Sequence, residues 1–221
     1  GEKPRIVMDF GKRNTGGTNS VPAQPRHPSG GEDHGSTDRD ISSITGMKGR
    51  RIALDPGHGG SDSGAIGPTG IMEKSITLRV GKELKCLLEA EGATVLMTRT
   101  FDTEVSPKGA EATAVEELEA RCEIANQGDA DIFISIHADA FTNPEVKGTT
   151  AYYYTRGSEA SRRLADSVRT AVIDAIGTVD RGSQSCNFYV VKHTDMPAIL
   201  LEISFISNPN EEAMMNSETG I

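Results

Sequence analysis

The chain of 221 residues has no tryptophan, only 5% aromatic residues, three cysteines and no excess of positive charge. Each shortage excludes something. Cys86, Cys122 and Cys186 are odd in number, widely spaced and free of any Cys-x-x-Cys pair. That argues against a disulfide scaffold and a cysteine zinc site, and leaves packing as their role. Lys and Arg number 23 against 32 Asp and Glu, a net charge of −9. Such a surface repels phosphates, so neither nucleic acid nor an anionic membrane is the partner. No apolar run reaches the roughly 18 residues of a membrane span, and no basic-then-apolar signal segment opens the chain. Because the chain opens on Gly1, the missing export signal does not assign it to the cytoplasm.

Aliphatic residues are also nearly absent from residues 11–48, "GKRNTGGTNSVPAQPRHPSGGEDHGSTDRDISSITGMK". A stretch so rich in Gly, Ser, Pro and charge cannot offset the entropy of folding by burial. Residues 1–48 are therefore read as a flexible linker, with "PRIVMDF" (Pro4 to Phe10) as the possible end of an upstream domain. His27 and His34 fall in this linker and are not expected to be ligands. Residues 49–221 are read as one folded domain, acting as a monomer.

From Arg51 onward short apolar runs alternate with amphipathic stretches. The spacing predicts strands at Ile52 to Asp55, Thr94 to Met97, Ile132 to Ile136, Thr149 to Tyr154, Phe188 to Val191 and Ala198 to Ile203. It predicts helices over Glu73 to Glu91, Val115 to Asn126 and Glu159 to Ile176. This pattern implies an α/β fold: a three-layer sandwich with a mostly parallel, roughly six-stranded twisted sheet and helices on both faces. In such sheets ligands bind beyond the carboxyl ends of the strands.

The polar residues expected at those ends are few. "RIALDPGHGGSDSGA" runs a buried strand into Asp-Pro-Gly-His-Gly-Gly and presents His58; "ISIHADA" presents His137; Glu202 lies in the apolar run "PAILLEISF". Glu73 opens the first long helix and should begin at the same edge. Each has an ordinary explanation: a turn residue, an ion-paired core group, or an acid that offsets a helix dipole. Together, two imidazoles and a carboxylate form the three-ligand set of a catalytic zinc site, and a further carboxylate can act as base. A carboxylate inside an apolar strand should be strongly paired, metal-associated or functional. "GGSDSG" lacks the spacing of a phosphate loop. Ser61 and Ser63 lack a nucleophile-elbow context, and a serine triad through Ser135 would leave His58 and Glu73 unused. His193 is read as a surface-loop residue.

The blocks "IALDPGHGGSDSGA", "EKSITLRVGKEL", "TVLMTRTFD", "ARCEIANQGDADIFISIHADA", "GTTAYYY" and "DMPAILLEISFISNPNEE" resemble, in this order, zinc-dependent N-acetylmuramoyl-L-alanine amidases of the Amidase_3 type. The resemblance spans Arg51 to Ala213. It implies a peptidoglycan hydrolase acting outside the cytoplasm, which cuts the amide between N-acetylmuramic acid and the first L-alanine of the stem peptide. It further implies one zinc ion per chain, with His58, Glu73 and His137 as ligands and Glu202 as the catalytic carboxylate. Asn187 and Asp139 are candidates for orienting substrate. Two rivals stand beside this reading: a zinc amidase or peptidase acting on another cell-wall amide, and a non-catalytic wall-binding module. "TEVSPKGAEATAVEELEA" is longer and more acidic than the family's usual link. No long helical insertion follows "SIHADAFTNPEVKGTT", so an open site is expected. The final helix after "NPNEE" is expected to be trimmed.

Overall fold

The computed structural model describes residues 46–221. The possible strand at residues 4–10, His27, His34 and nearly all of the expected linker lie outside the described residues.

Six strands form one sheet in the order β2-β1-β3-β6-β4-β5. They are β1 (Arg51–Pro56), β2 (Thr94–Met97), β3 (Ile132–Asp139), β4 (Thr149–Tyr154), β5 (Asp180–Cys186) and β6 (Ala198–Phe205). All neighbouring pairs are parallel except β4 with β6. The helices are α1 (Glu73–Ala90), α2 (Ala114–Gln127), α3 (Glu159–Ile176), α4 (Tyr189–Lys192) and α5 (Pro209–Met215).

Strand alternation divides the core. Ile52 and Leu54 of β1, Ile134 and Ile136 of β3 and Ile199 and Leu201 of β6 point to one face, where they meet Ile76 of α1, Leu164 of α3 and Met215 of α5. Ala53, Phe133 and Leu200 point to the other and meet Cys122 of α2 and Val190 of α4. The architecture is the expected three-layer α/β sandwich with a mostly parallel sheet. Met47, just inside the expected linker, already packs against the first core.

One expected strand is corrected. Phe188 to Val191 is a helical turn, α4, with Phe188 as its N-cap. A four-residue apolar run carries no period long enough to separate strand from helix. The true fifth strand, "DRGSQSC", is polar and largely exposed at the sheet edge, so it has no apolar signal. The acidic link after β2 is also ordered. A short 3-10 turn at Gly109–Glu111 precedes a capping box in which Thr113 and Glu116 satisfy each other's backbone N–H groups at the start of α2. Glu117 accepts from the backbone N–H groups of Val105 and Ser106. Acidity here serves the turn and the helix start.

The "NPNEE" block forms α5. Asn208 caps it, Glu212 accepts from Thr69, and Glu211 accepts from the N–H groups of Gly148 and Phe205. These two buried acids tie two loops to the carboxyl end of β6. Of the cysteines, Cys122 is fully buried and the half-buried Cys186 packs against the second core, as expected; Cys86 is exposed, which corrects the packing expectation for that one.

Candidate metal centre

Strands β1, β3 and β6 run parallel, so their carboxyl ends share an edge. β1 ends at Pro56, which cannot donate a ladder hydrogen bond, and the chain turns at Gly57, whose N–H donates to Ile136 of β3. A Cβ at Gly57 would lie 2.3 Å from the His137 ring, and one at Gly64 would lie 2.5 Å from Glu73 Oε2. Only glycine lets the loop approach this closely. His58 itself has φ of +61°, a left-handed conformation that costs a non-glycine residue about 1–3 kcal/mol and persists only where its surroundings impose it.

Glu73, the first residue of α1, is the hub. Its Oε2 lies 3.0 Å from His58 Nε2 and its Oε1 lies 3.0 Å from His137 Nδ1. Backbone N–H groups of Ala65 and Ala138 donate to the same carboxylate at 2.9 and 3.0 Å. Burial would raise the Glu73 pKa, but hydrogen bonds from the two imidazoles outweigh it and hold the group far below the usual carboxylate range. Burial would lower that of His58, but Glu73 and Asp62 outweigh it and raise it. His58 Nδ1 donates to Asp62 Oδ2 at 2.7 Å, which leaves Nε2 as the nitrogen facing Glu73.

The donor atoms of His58, Glu73 and His137 all lie within 4.8 Å of one another. Two donors on one tetrahedral zinc ion sit roughly 3.3 Å apart, close to the spacing found between Glu73 and each imidazole. The set fits a divalent metal in three further respects. It offers two imidazoles and one carboxylate, the Asp62 contact is the outer-shell support that metal-binding histidines use, and both imidazoles keep about a fifth of their side-chain surface exposed. These residues could hold a metal ion.

Glu202 of β6 pairs in register with His137. Its Oε2 is buried and has no hydrogen-bond partner among the described residues. Burial, with the nearby charges of Glu73 and Asp139, raises its pKa well above the ordinary value. Asp139 ends β3 at the same edge, and burial raises its pKa too.

A family model for N-acetylmuramoyl-L-alanine amidase (Amidase_3) matches residues 52–220. The chain belongs to this family. It is 42% identical over 174 residues to the probable cell wall amidase LytH of Staphylococcus epidermidis, over 78% of this chain and 53% of that protein. The chain thus spans about half the length of the curated relatives it matches. Among solved structures, the catalytic domain of CwlV, an N-acetylmuramoyl-L-alanine amidase from Bacillus (Paenibacillus) polymyxa, is similar with a TM-score of 0.68 and 32% identity, over 77% of this chain and 90% of that one. The CwlD amidase of Clostridioides difficile, solved with the GerS lipoprotein, gives 0.72 at 29% identity, over 77% and 90%. The shared sheet and helices are the amidase catalytic fold.

Other candidates separate from this edge. Ser135 is buried and donates to Asp55, so it is a framework residue. Asn187 follows β5, which runs parallel to β4 and therefore against β6; it lies beyond the end where β6 begins, opposite the His-Glu cluster. That corrects its expected role in orienting substrate. His193 caps α4, stacks on Tyr189 at 4.1 Å and precedes the start of β6, so it also belongs to the far end. Sequence reasoning missed Asp62. Its signal was present: an acid four residues after a histidine in a glycine-held turn is placed to bind the ring's other nitrogen.

Proposed function

We propose that residues 49–221 form the catalytic domain of a zinc-dependent peptidoglycan hydrolase, which cleaves the amide between the lactyl group of N-acetylmuramic acid and L-alanine of the stem peptide. His58, Glu73 and His137 would hold the zinc ion, one per chain, and Glu202 would carry the proton. The observation that supports this reading is Glu202, whose Oε2 is buried with no hydrogen-bond partner among the described residues, in register with one imidazole of a partly exposed His-Glu-His cluster.

A zinc ion held by His58, Glu73 and His137 would supply Lewis-acid polarisation of the scissile carbonyl and of the attacking water. The protein's own groups supply the rest. The backbone N–H groups of Ala65 and Ala138 orient Glu73, and Asp62 fixes the His58 ring. Glu202 takes the proton released as water attacks and returns it to the departing alanine amine. Burial raises its pKa above the ordinary carboxyl value, which makes it a better proton acceptor than an ordinary carboxylate in the first step. Asp139, at the same edge, orients the glycan or peptide. The short connection after β3, residues 140–148, contains no helix, which fits an open site. A wall substrate places the enzyme outside the cytoplasm, and the domain works as a monomer.

Digestion of purified peptidoglycan tests the substrate. New amino-terminal L-alanine with a free lactyl carboxylate supports the proposal. Cuts inside the stem peptide would transfer the same centre to another cell-wall amide, and no new amine would leave a wall-binding module.

A further inference from the structure

The loop that presents His58 is held from beneath by two buried guanidinium groups that lie outside the His-Glu-His cluster. Arg99, just after β2, donates from Nε to the carbonyl of Pro56 and from Nη2 to the carbonyls of Gly57 and Lys74, each at 2.9 Å. Arg121, on α2 and 3% exposed, uses both faces of its fork. Nη1 donates to Asp55 Oδ1 at 2.8 Å and to the Pro56 carbonyl at 3.0 Å. Nη2 donates to the His58 carbonyl at 2.8 Å and to Glu117 Oε1 at 2.9 Å. Three consecutive carbonyls, those of Pro56, Gly57 and His58, therefore end on arginine.

This arrangement does more than balance a buried charge. Asp55 already accepts from Thr98 and Ser135, and Asp55 with Glu117 neutralises Arg121 without any help from the loop. The Nη2 bond to His58 is instead spent on the one residue of that turn whose backbone is left-handed without being glycine. An Arg fork can bridge a carboxylate and a carbonyl at once, because its donors are fixed in a plane; a lysine ammonium cannot reproduce that span. Glu117 meanwhile accepts from Val105 and Ser106, so the same link ties the acidic segment after β2 to the loop.

We propose that Arg121 is a positioning residue of the metal centre: by holding the His58 carbonyl it fixes the backbone that aims the imidazole at Glu73 and His137, and so sets zinc affinity without touching the ion. The inference rests on the reading of those three residues as ligands.

The test compares Arg121→Lys and Arg121→Met with a packing control, Leu88→Ala, whose side chain is buried near the far end of α1. Zinc dissociation constants are measured by competition with a chelating dye, beside the melting temperature of each chelator-treated protein. Removing outer-shell partners typically costs about 10–100-fold in metal affinity, so both Arg121 variants should weaken zinc binding by that order, Met more than Lys. Leu88→Ala should lower the melting temperature through its cavity and keep zinc affinity within about threefold, since it lies outside the ligand shell. Affinity within threefold of the parent for Arg121→Met overturns the proposal, as does an equal loss in Leu88→Ala at matched melting temperature. Should the Met variant fail to fold, the Lys variant, which keeps the buried charge, decides by the same threshold. His58→Ala separates the two levels: if it binds zinc like the parent, the ligand reading fails rather than the positioning role.

Discussion

Replacing Glu202 with Gln keeps the side chain's shape and removes its ability to accept and return a proton. Two consequences follow in opposite directions. General acid-base groups contribute about 10²–10⁴-fold to rate, so amide cleavage should fall by that order while zinc is retained. Stability should rise. Glu202 Oε2 is buried with no donor among the described residues, and leaving such a group unsatisfied costs about 1–3 kcal/mol, more when it is charged. The folded-state pKa is raised above the ordinary value of 4.5, so the unfolded chain releases this proton more readily than the folded one. Parental stability is therefore lost as pH climbs from 4.5 through the folded pKa, and Gln escapes that loss. For a domain of this length each kcal/mol moves the melting temperature by about 2–4 °C, which gives a gain of about 2–12 °C at pH 8 and convergence below pH 4. The assay is thermal melting of chelator-treated protein at both pH values, with zinc content and amine release measured on the same preparation. A variant that melts below the parent at pH 8 would refute the desolvation argument. Near-parental turnover with full zinc would remove Glu202 from the mechanism, and lost zinc would make it a ligand.

Asp62→Asn keeps a hydrogen-bond acceptor for His58 but removes its charge, so zinc affinity should fall less than in Asp62→Ala, where about 10–100-fold is expected; equal affinities in parent and Ala variant, read by dye competition, would dismiss the contact. Residues 1–45 contain none of the four proposed site residues, so deleting them should leave cleavage of soluble muropeptides nearly unchanged. The cut is placed before Met47 because that residue packs against the core. A large loss on soluble substrate would show that the segment completes the fold or the site.

The parts of the fold legible in the sequence are those whose burial leaves a period. The alternating Ile and Leu of β1, β3 and β6 and the long amphipathic α1 and α3 match their expected spans to within a few residues. Exposure hid β5, and brevity disguised α4. At the site, the glycines around His58 and the acid inside β6 stood out because each breaks a local rule. Arg99 and Arg121 did not stand out. An arginine in "MTRT" or "EARCE" reads as surface charge until the fold brings it beneath a loop whose carbonyls accept from it. Asn187 was misplaced because the reversal of β4 against β6 carries no mark in the sequence, and with it β5 ends at the opposite edge.

Elemental analysis of the purified domain and of His58→Ala, Glu73→Ala and His137→Ala, after equilibration in limiting zinc, tests the central claim most directly. The account predicts about one zinc per parent chain, as a three-ligand catalytic site requires, and marked depletion in each of the three variants. Zinc retained in all three as tightly as in the parent would contradict it.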